Sequence, residues 1–446
     1  MLRHTISRSL RQGPSSIKAL CLPRVLSTSI CSPFGPRPTW THAPMPAYKS
    51  WLPDIQPVLR HNYSTEAEER TKKPASSSRV TTTHVIVPEQ LDRRGYVHGG
   101  EVLGWIDLSA ACAAAQFSGI ACVTASVDAV HLIQPLRLGD LAILTSQVTR
   151  SWRSSMEVSI RVESEHILTG RRTLCSQAFV TMVAMKDGKP VPVPELVPEG
   201  PEEVMMHAEA DLRRSERFRE RSLRSNAKDT PKVIRDLRCY SDALITSPAK
   251  SHPSSSGNSS SSPSLLNSRS YPSFQSRGKP CGLLPTELTP ADSFTESAET
   301  VLPAHTNMFG ATFGGQMMKW MTQCAIISAI RHCRKDLLLV STDRLNFHSS
   351  TKVGDMITLR SVVSRSWGSS IEVYVTSESE AIGKGGSNIW SNDAFITFVA
   401  VDDLDRPLSV PTLIPASTEE ERMWEGGEAR RALRLSQRAH VTADRG

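Results

Sequence analysis

Between residues 82 and 198 the pattern of apolar and polar positions separates several strands from one helix. In MEVSIRVE, Met156, Val158, Ile160 and Val162 fall on one face and Glu157, Ser159, Arg161 and Glu163 on the other. That two-residue period is the mark of a half-buried strand. LAILTSQVT and AFVTMVAM predict further strands, and a short strand at 85–88 precedes them. The segment EVLGWIDLSAACAAAQF is instead apolar and Ala-rich along its whole length, enough for a helix of about four turns. One long apolar helix, several strands and no second helix predict an α+β fold, an antiparallel sheet wrapped around a buried helix. Ala110, Ala111, Ala113 and Ala114 are small enough to let the sheet approach that helix closely.

The pattern then recurs. RSWRSSMEVSIRVESE (150–165) matches RSWGSSIEVYVTSESE (365–380) at 10 of 16 positions, an offset of 215 residues. The same offset pairs Gly99-Gly100 with Gly314-Gly315, Trp105 with Trp320, Asp128 with Asp343 and Gly139-Asp140 with Gly354-Asp355. A period this long means tandem domains rather than a solenoid. We place the repeats at 82–198 and 296–415. The segment 199–295 between them reads as a charged, solvated helix (EEVMMHAEADLRRSERFRERSLR) followed by a Ser/Pro/Asn-rich stretch whose composition predicts disorder. Residues 64–81 read as a disordered linker. A charged tail at 416–446 reads as a second solvated helix.

Charge changes the picture only at the beginning. Residues 1–63 hold eight Lys/Arg and one acid, Asp54, while the other 383 residues hold 44 of each sign. The net charge of +7 therefore belongs to the N-terminus and does not describe a nucleic-acid-binding surface. A basic, Ser-rich, acid-free opening predicts a mitochondrial transit peptide over 1–63 and a matrix location. No stretch reaches the ~20 apolar residues of a membrane-spanning helix. The nine cysteines form no CxxC pair, which argues against a disulfide framework and a structural zinc site. No metal-ligand spacing and no nucleotide loop of the GxxxxGK type is present.

The chemistry gathers at the helix starts. Glycine there leaves backbone N–H groups open to a ligand, and the positive end of the helix dipole suits a developing oxyanion. Loop geometry alone would also place Gly-Gly there. Asp107 is more telling, because its helical face includes Leu103, Ala110, Ala111 and Ala114, and a buried carboxylate is costly unless paired. Its counterpart in the second repeat is Thr322. Ahead of the glycines, Asn307 matches Asp92. If the repeats pair as a pseudo-symmetric dimer, one site combines Asn307 with Asp107 and the other Asp92 with Thr322. A turn-forming Asn is the plain alternative for Asn307. His98, opposite Phe313, reads as a loop-ordering residue, and Trp152 and Trp367 as sheet packing. Cys112, Cys122, Cys324 and Cys333 read as core.

These residues carry a family resemblance. VHGGEVLGWIDLSAACAA, VTASVDAVHLIQPLRLGD and SSMEVSIRVESE in the first repeat, with LPAHTNMFGATFGGQMMKWM, STDRLNFHSSTKVGD and SSIEVYVTSESE in the second, resemble the double-hotdog acyl-CoA thioesterases. The resemblance implies two fused hotdog domains that hydrolyse fatty acyl-CoA to free acid and CoA, without a cofactor. It implies a composite site with Asn307 holding water or thioester and Asp107 as base or nucleophile. The N–H of Gly314 or Gly315 would then face the oxyanion. Asp92 and Thr322 leave the other site silent, though with room for CoA. Gly99, Gly100, Arg150 and Arg365 are candidate substrate contacts, as are Arg153 and Arg344. A trimer of double hotdogs is the implied assembly, and no lipid-binding domain is expected after the second repeat. A non-catalytic acyl-CoA-binding hotdog protein is the main alternative. A hotdog hydratase, which needs an Asp–His pair that Asp92 and His98 only approximate, is the lesser one.

Overall fold

The computed structural model describes residues 70–225, 286–381 and 388–443. The proposed transit peptide and most of the Ser-rich stretch lie outside the described residues.

Each repeat is a hotdog. In the first, helix α1 (Gly99–Ser118) is followed by β3 (Cys122–Val127), β4 (Val130–Leu132), β5 (Asp140–Ser151), β6 (Ser155–His166) and β7 (Arg172–Lys186). Two strands precede them, β1 (Lys72–Pro74) and β2 (Val80–Val85), and two short strands follow, β8 (Lys189–Pro190) and β9 (Glu195–Val197). Helix α2 (Pro201–Ser225) closes the repeat. The second repeats the order: β10 (Glu287–Leu288), the single turn α3 (Pro290–Ser293), β11 (Thr295–Thr300), then helix α4 (Gly314–Cys333). It continues with β12 (Asp336–Thr342), β13 (Leu345–Asn346), β14 (Met356–Trp367), β15 (Ser370–Glu380), β16 (Asn388–Val401), β17 (Thr412–Leu413) and helix α5 (Thr418–Ala443).

The long strands join into one antiparallel sheet of 13, in the order β11-β14-β15-β16-β12-β4-β7-β6-β5-β2 with β3, β8 and β13 alongside. The seam between repeats is pseudo-twofold. Ser341 faces His131 and Asn346 faces Ser126, and these pairs exchange when 215 is added. Both hub helices belong to the sheet's core. Ile106, Ala110, Ala113, Ala114 and Phe117 of α1 are fully buried, as are Met321, Ala325, Ala329 and Cys333 of α4. Burying such side chains supplies about 1.5–3 kcal/mol for each large one, which fixes the helices in place. Gly119 ends α1 in the left-handed conformation (φ 72°).

Three sequence expectations need correction. First, the repeat begins well before residue 82. Lys72–Pro74 pairs in parallel with Glu195–Val197, and Val80–Val85 pairs with β5. Likewise 286–295 belongs to the second repeat, where Glu287–Leu288 pairs with Thr412–Leu413. Second, α2 and α5 are not merely solvated. Glu157, on the polar face of β6, is fully buried and receives Arg213 and Arg217 of α2 at 2.8 and 3.0 Å. Glu372, its equivalent, receives Arg430 and Arg434 of α5 at 2.7 and 2.6 Å. The charged helices thus cover the outer face of the sheet through buried, hydrogen-bonded ion pairs, the form in which a buried charge is tolerated. Third, Cys112 is exposed on α1, whereas Cys175, Cys324 and Cys333 are buried.

Candidate active site

The second glycine of each pair serves helix packing rather than access. A Cβ added at Gly315 would lie 2.8 Å from the Cα of Gly104, and one added at Gly100 would lie 3.1 Å from the Cα of Lys319. The first turns of α1 and α4 therefore cross backbone to backbone. This crossing carries the start of α4 onto Asp107.

Asp107 is wholly buried. Its Oδ2 accepts the Gly315 N–H at 2.6 Å, and its Oδ1 accepts the Thr124 hydroxyl at 2.6 Å. Burial pushes its carboxyl above the usual range, and the Thr124 and Gly315 bonds pull the other way. A Cβ at Gly314 would sit 3.2 Å from both carboxylate oxygens and 3.0 Å from the Phe347 ring. Only glycine keeps that approach open. Gly314 and Thr124 line a cavity of about 400 Å³, and Asn307 lines it too. The Oδ1 of Asn307 accepts the N–H groups of Phe309 (2.9 Å) and Ala311 (3.2 Å). Asn307 is thus a turn former, as its plain reading has it, and its amide NH₂ carries two further protons that can be donated. Cys122 also lines the cavity; burial pushes its thiol up, the opposite of what a thiolate nucleophile requires.

The pseudo-equivalent chamber, about 360 Å³, is lined by Asp92, His98, Gly99 and Thr322. The groups at the positions that match the first site are bonded within their own repeat. Thr322 returns its hydroxyl to the Met318 carbonyl at 2.8 Å. His98 Nδ1 accepts the Gly100 N–H at 3.2 Å, and burial holds its imidazole below the usual value, in keeping with a neutral acceptor. Leu339, in the position of Thr124, lies against Gly99, so a Cβ there would come within 2.2 Å of its Cδ2. Asp92 Oδ1 accepts the N–H groups of Arg94 (2.9 Å) and Tyr96 (3.0 Å), and its side chain lacks the NH₂ that Asn307 carries at the matching position.

The structure therefore brings Asp107 together with Gly314 and Gly315, and gathers Asn307, Gly314 and Thr124 around one cavity. It places the candidate arginines elsewhere. Arg150 pairs with Asp211 of α2 at 3.2 Å, and Arg365 with Glu428 of α5 at 2.9 Å. Arg344 pairs with Asp128 at 2.9 Å across the seam. Trp152 and Trp367 donate their indole N–H groups to Asp211 and Glu428, each at 3.0 Å, and so hold the outer helices. Thr124 is the site residue that the sequence reading missed. The contrast of Thr124 with Leu339, at the offset that sets Asp107 against Thr322, was the available signal.

Comparison with known proteins places both repeats in one family. The model of the family described as "Thioesterase superfamily" matches twice, at residues 94–170 and 309–385. The acyl-CoA thioester hydrolase YkhA of Bacillus subtilis, itself uncharacterized, is 40% identical over 141 residues, 31% of this chain and 82% of YkhA. The acetyl-coenzyme A thioesterase of Rattus norvegicus is 31% identical over 364 residues, 80% of this chain. The chain spans only 58% of that relative's length. Among solved structures, an acyl-CoA hydrolase from Staphylococcus aureus in complex with butyryl coenzyme A is 29% identical, with 35% of this chain and 96% of that one covered (TM-score 0.33).

Proposed function

Since the chain belongs to the thioesterase superfamily, we propose that it hydrolyses acyl-CoA to free acid and CoA at one composite site. The observation that carries this reading is the Asp107 carboxylate of the first repeat held on the Gly315 N–H of the second, beside Asn307 and Thr124, with no counterpart in the other chamber. Substrate binds with its thioester carbonyl against Gly314, whose N–H has no protein partner among the described residues, and against the amide of Asn307. Two such donors stabilise the oxyanion that forms on attack. Asp107 acts as base. It is wholly buried behind Thr124 and Gly314, and a small water is easier to admit beside it than a thioester carbon is to bring into contact with it. It takes a proton from that water as the C–O bond forms, and the proton leaves with the CoA thiolate as the C–S bond breaks. The raised pKa makes Asp107 a stronger base than a solvated carboxylate.

The basic N-terminus, free of acids before Asp54, supports a mitochondrial address, which imaging of a fusion to residues 1–63 would test. The trimer of double hotdogs rests on the family resemblance and is tested by light scattering. For the activity, CoA release is measured on a panel of acyl-CoAs with protein lacking residues 1–63. Asp107→Ala and Asn307→Ala should abolish it and Thr322→Ala should spare it. Folded protein that releases no CoA from any substrate sinks the reading and leaves acyl-CoA binding without hydrolysis. A single turnover in ¹⁸O water should label the acid and not Asp107; label in the peptide holding Asp107 would make it the nucleophile.

A further inference from the structure

We propose that the seam between α1 and β3, with Ala111 on its helix wall, is the acyl channel of the competent site and sets the chain length accepted. The inference rests on the thioesterase reading and names its substrate class: thioesters with acyl chains beyond about four carbons.

The argument comes from comparing the two chambers wall by wall. Ala111, Cys122, Val123, Thr124 and Ala125 line the competent one. The positions 215 residues on are Ile326, Leu337, Leu338, Leu339 and Val340, and all five line the other. Every one of them is larger than its counterpart. The free volumes are similar, about 400 and 360 Å³, so the difference is one of wall shape along this seam. Where a carboxylate sits at the head, the seam is lined by small side chains. Where Thr322 sits at the head, the seam is filled by branched ones. Ala111 lies one helical turn beyond Asp107 on the same face of α1, about 6 Å along the axis, a span that roughly four or five chain carbons cover. Met182, Met185 and Met317 complete the competent wall, and such side chains adapt readily to a flexible alkyl chain. Lys352 is the one charged residue that lines the chamber, and it lies on the loop before β14 rather than on α1 or β3.

The test transplants the second repeat's wall into the first. Ala111→Ile introduces the side chain that Ile326 already carries at the same place in the same helix–strand geometry. Acetyl-, butyryl-, octanoyl- and palmitoyl-CoA are assayed for CoA release by full-length wild type, Ala111→Ile and the reciprocal Ile326→Ala. We expect wild type to turn over all four. Ala111→Ile should keep acetyl- and butyryl-CoA turnover within about threefold and lose at least tenfold in kcat/KM on the longer pair, the scale on which a pocket discriminates by a methylene or two. Ile326→Ala should leave the profile unchanged. Should Ala111→Ile melt early, Ala125→Val on the facing strand makes the same test with a smaller change. A folded variant with the wild-type chain profile overturns the channel and leaves the thioesterase reading intact. Equal loss on short and long chains, or a wild type limited to acetyl- and butyryl-CoA, overturns it too. A wild type inactive on all four substrates fails the thioesterase reading instead.

Discussion

Asparagine at position 107 separates the catalytic value of the carboxylate from its cost. The amide has the same shape. Its oxygen still accepts the Gly315 N–H, and its NH₂ donates to a Thr124 hydroxyl that has only to rotate. Both 2.6 Å contacts survive in number, and what disappears is charge. Bonds to a charged group are worth about 1.5–3 kcal/mol and neutral ones about 0.5–1.5, so the pair gives up roughly 2–3 kcal/mol. Against this stands desolvation, the largest influence on Asp107, which raises its pKa in spite of both bonds. A carboxyl whose pKa rises on folding contributes stability below its unfolded value and loses it as pH climbs through the folded one. Each unit of the rise costs about 1.4 kcal/mol once the group is ionised. The sign is therefore fixed: at neutral pH the ionised carboxylate destabilises the fold. Asp107→Asn should raise Tm at pH 8, and by less at pH 4, while kcat falls by about 10²–10⁴, the usual worth of a general base. Calorimetry at both pH values and a thiol-trapping assay of CoA release measure the two effects. A variant that melts below wild type at pH 8, or keeps turnover within tenfold, refutes the reasoning.

Other changes bear on the same framework. The acidic limb of the wild-type kcat profile should lie above the ordinary carboxylate range, because Asp107 must be ionised to act. Thr124→Val removes one of the two bonds that favour its ionised form, so that limb should move to higher pH and kcat at pH 7 should fall about tenfold. Gly315→Ala forces a Cβ to 2.8 Å from the backbone of Gly104, an overpacking that should cost about 1–3 kcal/mol in denaturant melts. Arg434→Leu leaves buried Glu372 and half-buried Asp343 short of a partner and should cost about 3–5 kcal/mol in urea unfolding, against near-neutral changes at exposed arginines such as Arg422.

The hub helix and long strands were legible because their apolar period is unbroken. The first strands were not. VTTTHV is half-buried on alternate residues but carries three threonines in six residues, and it holds its place by pairing with β5 at the sheet's edge rather than by apolar burial. The outer helices were misread for a related reason. Their buried arginines look like solvent residues, and the partners Glu157 and Glu372 stand on strand faces whose polarity predicts water. The repeat extends into these helices at an offset of 217, where Arg213 and Arg217 match Arg430 and Arg434. That match, once aligned, marks them as structural. Asp107 and Asn307 stood out in the sequence because each differs from its own counterpart. Thr124 did not, since a threonine in a strand draws no notice until its partner is known.

The pseudo-twofold seam carries a genetic consequence. Two identical hotdogs paired across such a seam must hold two identical sites, so neither half can lose a catalytic group without losing it twice. Joining the halves in one chain removes that constraint and guarantees the mixed pairing, because the tether keeps the partner at high local concentration. On the proposed reading each half has kept one share of the set, Asp107 in the first and Asn307 in the second. Expressed separately, the first half paired with itself would set Asp107 against Asp92, and the second Thr322 against Asn307. Neither is a complete set, and only co-expression would complement them.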